Sequence, residues 1–500
     1  MSAAGTELAH RRIRMGRLFG TDGVRGIANK ELTAELAFSL GMAGAQALAQ
    51  QSGRKPLILI GKDTRVSCDM LEGAMVAGIC SVGADAMSLG VIPTPAVACL
   101  ASSRRADAGV VISASHNSFE FNGIKFFDRH GFKLPDAIED QIECIVNKNH
   151  RQGKSRPIGG GVGRHGVIGR AKDEYIERLI DVAAAWGGKG GKGGKGGKGE
   201  HWGARGDTLD SQRRVPDLRG ITVALDCANG AAYKTAPQLF RKLGAKVHVA
   251  CGKPNGININ EGCGSTHIGR LRGFASKVNA DIGFAFDGDA DRVIAVDERG
   301  GVVDGDMILA ILALDMKRRG ALRHDTIVAT VMSNLGLEIA ARENGMKLIR
   351  TAVGDRYVLE EMAKGRYTLG GEQCGHIVCL DGHTTGDGLF TALLLSNIFA
   401  SQGKPFSELA AVMRHMPQII RNARVPNEKK TAYMEDDVIR GRCEELEAAY
   451  AGAGRVLIRP SGTEPLVRVM IEAGDEAAIQ QQAEEMASLI ESRLGFKQLA

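Results

Sequence analysis

The chain has 500 residues, more than one hydrophobic core usually supports, so we expect three or four domains. An apolar share of 44% and a charged share of 24% are those of an ordinary soluble globular protein. The net charge is +6, but residues 187–219 hold eight Lys/Arg and four Asp/Glu, so +4 of this charge lies in one segment. The remaining chain is nearly neutral, which argues against a basic groove for a nucleic-acid partner.

Cysteine spacing and the N-terminal residues indicate the compartment. The ten cysteines form no C-x-x-C pair, which predicts reduced, mostly buried thiols and neither a disulfide frame nor a zinc site. The N-terminus is polar, without the apolar segment of a secretory signal, and the longest apolar run, Met307 to Leu314, is too short for a membrane span. We therefore expect a cytoplasmic protein with no membrane partner, and the sequence leaves monomer and homodimer open.

Short β-like apolar runs alternate with helical patterns, which is typical of an α/β fold. In chain order we predict helix 32–50, strand 57–60, helix 70–82, strand 109–112, helices 136–147 and 172–186, strands 221–225 and 282–286, helix 307–318 and strand 327–331. The strands end in the polar runs GKDTR, SASHN, DCANG, DGDAD and MSN. Because α/β sheets bind ligands at the carboxyl ends of their strands, these runs are candidate site residues.

A loose repetition of these units predicts consecutive domains. We place their bounds at 14–165, 166–300, 301–400 and 401–500, the last being smaller and of a different pattern. Residues 187–219 begin with four copies of G-G-K and continue as a polar run, so we expect a flexible insertion inside the second domain.

Ser115 is the first candidate for chemistry. It lies in Ser-Ala-Ser-His-Asn, directly after a buried strand, and His116 beside it could manage the proton of an activated hydroxyl. A turn in which Ser and Asn side chains bind backbone groups explains the same residues equally well. Taken alone, this segment leaves both interpretations open.

Three alternating carboxylates, Asp287, Asp289 and Asp291, follow another buried strand. Carboxylates this close repel one another unless a cation lies among them, and oxygen ligands favour Mg²⁺ or Ca²⁺. An EF-hand loop is disfavoured because Arg292 stands where its glycine is required and strands flank the segment. We predict a Mg²⁺ site.

Two glycine-containing loops complete the candidates. Arg459, Ser461, Gly462 and Thr463 lie in R-P-S-G-T-E-P, with Arg468 beyond, and offer amides, hydroxyls and guanidinium groups to a phosphate. The G-G-E-Q-C-G-H segment offers Glu372 and His376 to sugar hydroxyls, although a structural turn is as good an explanation there.

Together these motifs resemble the α-D-phosphohexomutase superfamily over nearly the whole chain, in the family's order. The N-terminal FGTDGVRG, VGDRYV (353–358) and GEQ-x-GH look like its glucosamine-phosphate branch. The resemblance implies three similar α/β domains with mixed sheets and a smaller C-terminal α+β domain around a central cleft. It also implies interconversion of glucosamine 6-phosphate and glucosamine 1-phosphate through a 1,6-bisphosphate that also serves as activator, a step toward UDP-N-acetylglucosamine and cell-wall precursors.

The resemblance also implies a role for each motif residue. Ser115 would be the phosphorylated serine and a metal ligand, together with the three aspartates that hold one Mg²⁺. His116 and Lys125 would handle protons, and Arg25 and Arg292 would lie near the transferring phosphate. The sugar-reading loop and the clamp for the second phosphate would be formed by Glu372, Cys374, His376, Arg459, Ser461, Gly462, Thr463 and Arg468.

Two residues depart from the family pattern, since Cys374 stands in place of serine and Ser118 in place of proline. Three other functions stay open at this point. They are the same chemistry on glucose or mannose phosphates, a metal-dependent phosphomonoesterase, and a scaffold that binds through the G-G-K segment.

Overall fold

The computed structural model describes residues 18–20, 22–48, 54–149, 156–186, 215–450, 452–461 and 464–496. Contacts divide the chain into two compact units. The first comprises residues 1–331 and 349–410, and the second comprises residues 332–348 and 411–500. This division is coarser than four domains, whose bounds stay a prediction.

The first sheet of the first unit has six strands in the order β1-β5-β4-β2-β3-β6. Its strands are β1 Val24–Ile27, β2 Leu57–Lys62, β3 Asp85–Val91, β4 Ala108–Ile112, β5 Phe121–Asp128 and β6 His165–Val167. The accompanying helices are α1 Ala34–Leu48, α2 Ser67–Ser81, α3 Thr94–Ser103, α4 Asp136–Asn149 and α5 Ala171–Trp186. Strand β4 is buried throughout and pairs in parallel with β2 and antiparallel with β5, so the sheet is mixed.

The second sheet has the order β11-β10-β9-β7-β8. Its strands are β7 Thr222–Asp226, β8 Lys246–Ala250, β9 Ile282–Phe286, β10 Val293–Asp297 and β11 Val302–Val303, with helices α6 Ala232–Lys242 and α7 Gly269–Lys277. Strand β9 is buried over its whole length, as its continuous apolar sequence predicts for a central strand. It pairs in parallel with β7 and antiparallel with β10.

A third, mixed sheet has the order β13-β12-β14-β15. Its strands are β12 Thr326–Thr330, β13 Lys347–Thr351, β14 Leu369–Gly371 and β15 Ile377–Cys379. The helices in this part of the chain are α8 Gly305–Arg318, α9 Leu335–Glu343, α10 Asp355–Gly365, α11 Gly388–Gln402 and α12 Phe406–Ala410. Helix α9 belongs to the second unit.

The second unit also holds a three-stranded antiparallel sheet in the order β16-β18-β17. Its elements are β16 Gln418–Arg424, β17 Arg455–Pro460, β18 Leu466–Glu472, α13 Asp437–Ala449 and α14 Glu476–Leu494. Short 3₁₀ turns occur at Gly159–Gly161, Arg323–Asp325, Asn427–Lys429 and Ala432–Met434. Buried apolar side chains such as Val469 and Ile479 form the core of the second unit.

The predicted fold class is confirmed, with three mixed sheets among helices and a smaller, antiparallel C-terminal sheet. Every predicted strand and helix is present, although α2 begins at Ser67, before the predicted Met70. Among the described residues, none of the helices has the length and apolar character needed to cross a bilayer.

The predicted insertion is only partly described. Residues 187–214 lie outside the described residues, whereas Leu218 is fully buried and its N–H donates to the Leu243 carbonyl at 2.9 Å. The residues around Leu218 therefore belong to the folded part of the chain.

Candidate active site

Ser115 lies in a tight loop after β4 and is fully buried. Its φ of 53° is in the left-handed region, which non-glycine residues rarely adopt without support from their surroundings. One support is local, because the Ser115 N–H donates to Ser113 Oγ at 2.9 Å and that hydroxyl donates to Asp63 Oδ2 at 2.6 Å. These hydrogen bonds hold the loop in one conformation and therefore fix the direction of the serine hydroxyl.

Two side chains from other loops hold the same turn by its carbonyl groups. Arg65 Nη2 and Asn260 Nδ2 each donate to the carbonyls of Ser115 and Asn117, and all four distances are 2.9 Å. Both side chains are buried, and Arg65 also pairs with Asp63 at 2.9 Å. This bracing offsets the cost of the left-handed serine, which is about 1–3 kcal/mol for such a conformation.

The sequence analysis did not single out Arg65 or Asn260. The available signal for Arg65 was its position in GKDTR at the end of β2, one of the polar strand ends noted above. Asn260 lies in a loop between β8 and α7 and gives no comparable local signal.

The three aspartates lie in the turn between β9 and β10 and form one buried cluster. Asp287, Asp289 and Asp291 each offer a carboxylate oxygen, and these oxygens lie within 4.8 Å of one another. Asp289 Oδ1 and Asp291 Oδ1 are buried and have no hydrogen-bond partner among the described residues. Because such oxygens are costly to bury unpaired, the cluster fits a bound cation, and its all-oxygen donor set fits Mg²⁺.

The aspartate turn meets the serine loop directly. Ser115 Oγ donates to Asp287 Oδ2 at 2.6 Å. Gly288 is required by this approach, since a Cβ at that position would lie 2.5 Å from the Ser115 carbonyl oxygen. The structure therefore brings together the hydroxyl and the carboxylates that the sequence placed 172 residues apart.

The pKa values of Asp287 and Asp291 are shifted in opposite directions. Burial, followed by the charges of Asp291 and Asp289, raises the pKa of Asp287. Burial also acts to raise the pKa of Asp291, but Lys125 and His376 outweigh it and hold that pKa below its usual value.

Lys125, on β5, is buried among carboxylates. Its Nζ lies 3.0 Å from Asp289, 3.3 Å from Asp22 and 3.7 Å from Asp291. Burial alone would lower the pKa of Lys125, but these three charges raise it above its ordinary value. Lys125 is therefore held as a fixed cation beside the aspartates.

His116 and the two predicted arginines also lie near the serine loop. His116 Nδ1 is 3.4 Å from Ser115 Oγ and 3.3 Å from Arg292 Nη1. Since a guanidinium N–H only donates, Nδ1 accepts this bond and the ring proton lies on Nε2. Burial and the charges of Arg292 and Arg25 lower the pKa of His116, which favours the neutral ring. Arg25 pairs with Asp22 and donates to Asn117 Oδ1 at 3.4 Å.

The predicted sugar loop connects β14 to β15 and reaches the same cluster through His376. This ring is buried, with Nδ1 3.7 Å from Asp291 and Nε2 3.4 Å from Asp355. Burial opposes its protonation, but Asp291 and Asp355 raise the pKa of His376. Glu372 is half-buried and Cys374 is exposed, with 3.7 Å between Cys374 Sγ and Glu372 Oε2.

Gly375 fixes the shape of this loop. Its φ is +91°, and a Cβ there would lie 2.2 Å from the Val293 carbonyl oxygen. The carbonyl of Gly375 accepts the Val293 N–H at 3.0 Å, so the sugar loop is attached to the strand that follows the aspartate turn.

An ion pair missed by the sequence analysis extends the cluster. Lys133 Nζ lies 2.9 Å from Asp22 and 2.6 Å from Asp355, and Asp355 belongs to the VGDRYV segment. Burial opposes the charge on Lys133, but Asp355 and Asp22 raise the pKa of Lys133. The alternating charges therefore run from Asp22 through Lys133 and Asp355 to His376.

The predicted phosphate loop belongs to the second unit, in the β17–β18 hairpin. Arg459 and Arg468 are direct cross-strand partners, and burial followed by the Arg468 charge lowers the pKa of Arg459. Like charges in this position repel, so the pair is suited to an anion. Ser461 is buried and its carbonyl accepts Lys430 Nζ at 2.6 Å, which adds a cation that the sequence did not reveal. Gly462 and Thr463 lie outside the described residues.

Comparisons with known families match consecutive parts of the chain. Residues 16–153, 209–301 and 304–416 match phosphoglucomutase/phosphomannomutase alpha/beta/alpha domains I, II and III, and residues 421–489 match the C-terminal domain of the same group.

Full-length relatives are also similar. A phosphoglucosamine mutase of Ruminiclostridium cellulolyticum is 53% identical over 480 residues, covering 96% of this chain and 100% of the relative. Another, from Caldanaerobacter subterraneus subsp. tengcongensis, is 53% identical over 486 residues with the same coverage.

Two solved structures share the fold at low sequence identity. A phosphoglucomutase/phosphomannomutase family protein of Burkholderia thailandensis has a TM-score of 0.73 at 24% identity, covering 96% of this chain and 100% of its own. An N-acetylphosphoglucosamine mutase of Aspergillus fumigatus, solved with GlcNAc-6P and magnesium, has a TM-score of 0.63 at 16% identity, covering 98% and 99%.

Proposed function

The chain belongs to the phosphoglucosamine mutase family, and from this we propose that it interconverts glucosamine 6-phosphate and glucosamine 1-phosphate by way of a phosphorylated Ser115. The reaction is an intramolecular phosphoryl transfer on a small sugar phosphate. The observation that carries the proposal is the 2.6 Å contact between Ser115 Oγ and Asp287, beside two buried carboxylate oxygens that accept no hydrogen bond within the described part of the chain.

Asp287, Asp289, Asp291 and the phosphorylated Ser115 are the groups that would hold one Mg²⁺. When bound, this ion neutralises charge on the transferring phosphoryl group. Arg292 and Arg25, which lie near the serine loop, would add positive charge to the same group.

In the first half-reaction a free hydroxyl of the sugar phosphate attacks the phosphorus of phospho-Ser115. A bond forms between phosphorus and the sugar oxygen, and the bond to Ser115 Oγ breaks. One proton leaves the sugar hydroxyl and one returns to Ser115 Oγ. His116 is well placed for this exchange, because its Nδ1 lies 3.4 Å from Oγ and can accept a proton. Lys125, held protonated by three carboxylates, supplies fixed positive charge, and its expected part in proton handling stays a prediction.

The product of that step is glucosamine 1,6-bisphosphate, which we propose as intermediate and activator. After it turns around, Ser115 takes the other phosphoryl group and is ready for a further cycle. Arg459, Ser461 and Arg468 are proposed to bind the phosphate that is not transferred, since their paired positive charge favours a dianion. Gly462 and Thr463 are proposed for the same role from the sequence motif.

Glu372, Cys374 and His376 are proposed to bind the sugar hydroxyls. The attachment of their loop to the aspartate turn, through Gly375 and Val293, supports this assignment. We further propose that the protein acts in the cytoplasm, where its free thiols stay reduced, as a monomer or homodimer without nucleic-acid or membrane partners.

A coupled assay tests the substrate. We expect glucosamine 6-phosphate to give a higher kcat/KM than glucose or mannose phosphates, with Mg²⁺ and a trace of bisphosphate present. A preference for glucose or mannose phosphates would reassign the branch. Release of inorganic phosphate as the main product would indicate a phosphomonoesterase.

The Ser115→Ala variant tests the carrier. We expect mutase turnover to fall by several orders of magnitude, because no other group can carry the phosphoryl between the two ends of the sugar. Mass spectrometry should find one phosphate on the wild-type chain after incubation with bisphosphate and none at this position in the variant. Ser103→Ala, on helix α3, is the control. Near-full turnover of Ser115→Ala would refute the proposal.

A further inference from the structure

A second cluster of metal-ligand side chains lies in the first unit, at the ends of strands β7 and β8. Asp226 is the last residue of β7, Cys251 follows β8, and Cys263 lies before α7. One carboxylate oxygen and both sulfur atoms lie within 4.8 Å of one another. Asp226 and Cys263 are buried, whereas Cys251 is half-buried, so the cluster is open to solvent at Cys251.

The donor set of this cluster differs from that of the aspartate triad. Two sulfur atoms and one oxygen suit a borderline or soft ion such as Zn²⁺, whereas three oxygen atoms suit Mg²⁺. With Zn–S bonds of about 2.3 Å, two sulfurs of a tetrahedral site are about 3.8 Å apart. The three ligand atoms therefore need only a small contraction to bind the ion.

The carboxylate of Asp226 is already oriented. Its Oδ1 accepts the Ala228 N–H at 2.9 Å, and its Oδ2 accepts the Gly264 N–H at 3.0 Å. Hydrogen bonds of this kind orient the ligands of metal sites. Each oxygen keeps a lone pair, so these bonds leave the group able to bind a cation.

Charge also favours a divalent ion in this place. Two thiolates and one carboxylate carry a charge of −3, and a divalent ion reduces it to −1. Arg270 interacts electrostatically with all three groups and brings the sum to zero.

In contrast to the expectation from cysteine spacing, we propose that Asp226, Cys251 and Cys263 form a second metal site, for a divalent cation of the zinc type with a fourth position open to water. The two thiols lose their protons to solvent on binding, and no electron is transferred. This site is separate from the Mg²⁺-type triad.

We expect metal binding to make the loops that hold the active-site serine and aspartates more rigid. The two cysteines stand at the two ends of the loop that carries Asn260, whose amide holds the carbonyls of Ser115 and Asn117. Just beyond Cys263, the Ser265 N–H donates to the carbonyl of Phe286 at 2.9 Å, directly before Asp287. An ion that joins the loop ends would therefore restrict both the serine loop and the start of the aspartate turn.

Cobalt substitution tests the site in the full-length protein. The reduced chain, with Mg²⁺ in excess, is titrated with Co²⁺. We expect one equivalent to give a thiolate-to-cobalt charge-transfer band and the visible bands of tetrahedral cobalt, both removed by one equivalent of Zn²⁺. Cys251→Ala and Cys263→Ala should lower the affinity more than about 100-fold, since even outer-shell changes typically cost 10–100-fold. Cys443→Ala, a half-buried thiol of the second unit, should leave the titration unchanged.

Absence of the charge-transfer band in the reduced wild type, or its persistence in Cys251→Ala, would overturn the proposal. A Cys251–Cys263 disulfide in the unreduced chain, combined with no cobalt band after reduction, would overturn it in favour of a dithiol pair. If Cys263→Ala fails to fold, the half-buried Cys251→Ala decides the test.

Hydrogen exchange provides a readout that is independent of activity. Zn²⁺ should slow amide exchange in residues 251–264 of the wild type and have no such effect in Cys251→Ala. Protection confined to residues 287–291 would mean binding at the aspartate triad and would overturn the proposal.

Discussion

Each aspartate of the triad has a different set of partners, although the sequence makes them look alike. Asp287 accepts a hydrogen bond from the Ser115 hydroxyl. Asp289 accepts one from Thr94 Oγ1 at 2.7 Å and one from Lys125 Nζ. Asp291 lies near His376. One oxygen of Asp289 and one of Asp291 accept no hydrogen bond from the described residues. The cost of burying these oxygens is the residue-scale reason to expect a metal.

Asp289→Asn should raise the Mg²⁺ concentration required for half-maximal activity on the order of tenfold or more, because it removes one of the three carboxylate ligands. The measurement is the mutase rate against Mg²⁺ concentration. Asp69→Asn, an exposed carboxylate in the same unit, should behave as wild type. An unchanged Mg²⁺ dependence of Asp289→Asn would count against the triad as the metal site.

Cys374→Ser should leave activity intact or improve it, since a hydroxyl is a better hydrogen-bonding group than a thiol. The thiol is exposed, and its Sγ lies 3.7 Å from Glu372 Oε2. KM and kcat are measured beside those of Cys144→Ser, the other exposed thiol. A large loss in Cys374→Ser alone would mean that the thiol has its own role.

At the scale of elements, helix α11 is joined to helix α5 through the residue that caps it. Asp387 accepts the Phe390 N–H at 2.9 Å as the N-cap of α11, and also the hydroxyl of Tyr175 on α5 at 2.7 Å. His383 Nδ1 lies 3.1 Å from the same carboxylate, and its ring packs 4.7 Å from that of Phe390. Burial lowers the pKa of His383. The charge of Asp387 acts to raise this pKa but does not cancel the effect of burial.

This contact predicts a pH dependence of stability. Because the pKa of His383 is lower in the folded chain than in the unfolded one, the unfolded chain binds the proton first as the pH falls below about 6.5. The free energy of unfolding should therefore decrease with acidification in this range, and less steeply in His383→Gln. Denaturant unfolding at pH 7.5 and 5.5 measures the difference, with the exposed His130→Gln as control. Equal slopes in wild type and His383→Gln would contradict the assignment.

For the whole molecule, residues 187–219 are the segment in which most of the net positive charge lies, +4 of +6. Residues 187–208 of this segment lie between the family matches that end at residue 153 and begin at residue 209. Leu218, near its C-terminal end, is fully buried.

Replacing residues 187–214 by a short Gly-Ser linker should keep kcat within about twofold of wild type and leave the thermal midpoint unchanged, because their Gly-rich, polar sequence predicts few stabilising contacts. The mutase assay and a thermal melt provide the measurements. The same replacement extended through residue 219 removes buried Leu218 and should lower the midpoint. Loss of activity in the shorter deletion would favour a binding role for the segment.

The sequence by itself determined the elements and the chemistry carried on each. Continuous apolar runs such as Ile282–Phe286 specify buried strands, and polar runs such as D-G-D-A-D specify what those strands present at their ends. These signals are local, so they could be found without coordinates, and the family's motif order connected Ser115 to the aspartates.

Only the tertiary structure decided which distant groups share one site and which of them are braced. The bracing of Ser115 by Arg65 and Asn260, the Lys133–Asp355 pair and the Asp226–Cys251–Cys263 cluster each join loops far apart in the chain. Hydrogen bonds and ion pairs of this kind depend on distance and burial after folding, which residue spacing does not encode. Local sequence left Ser115 open between a turn and a nucleophile, whereas the tertiary structure makes it a buried hydroxyl 2.6 Å from Asp287, a carboxylate of the proposed Mg²⁺ site.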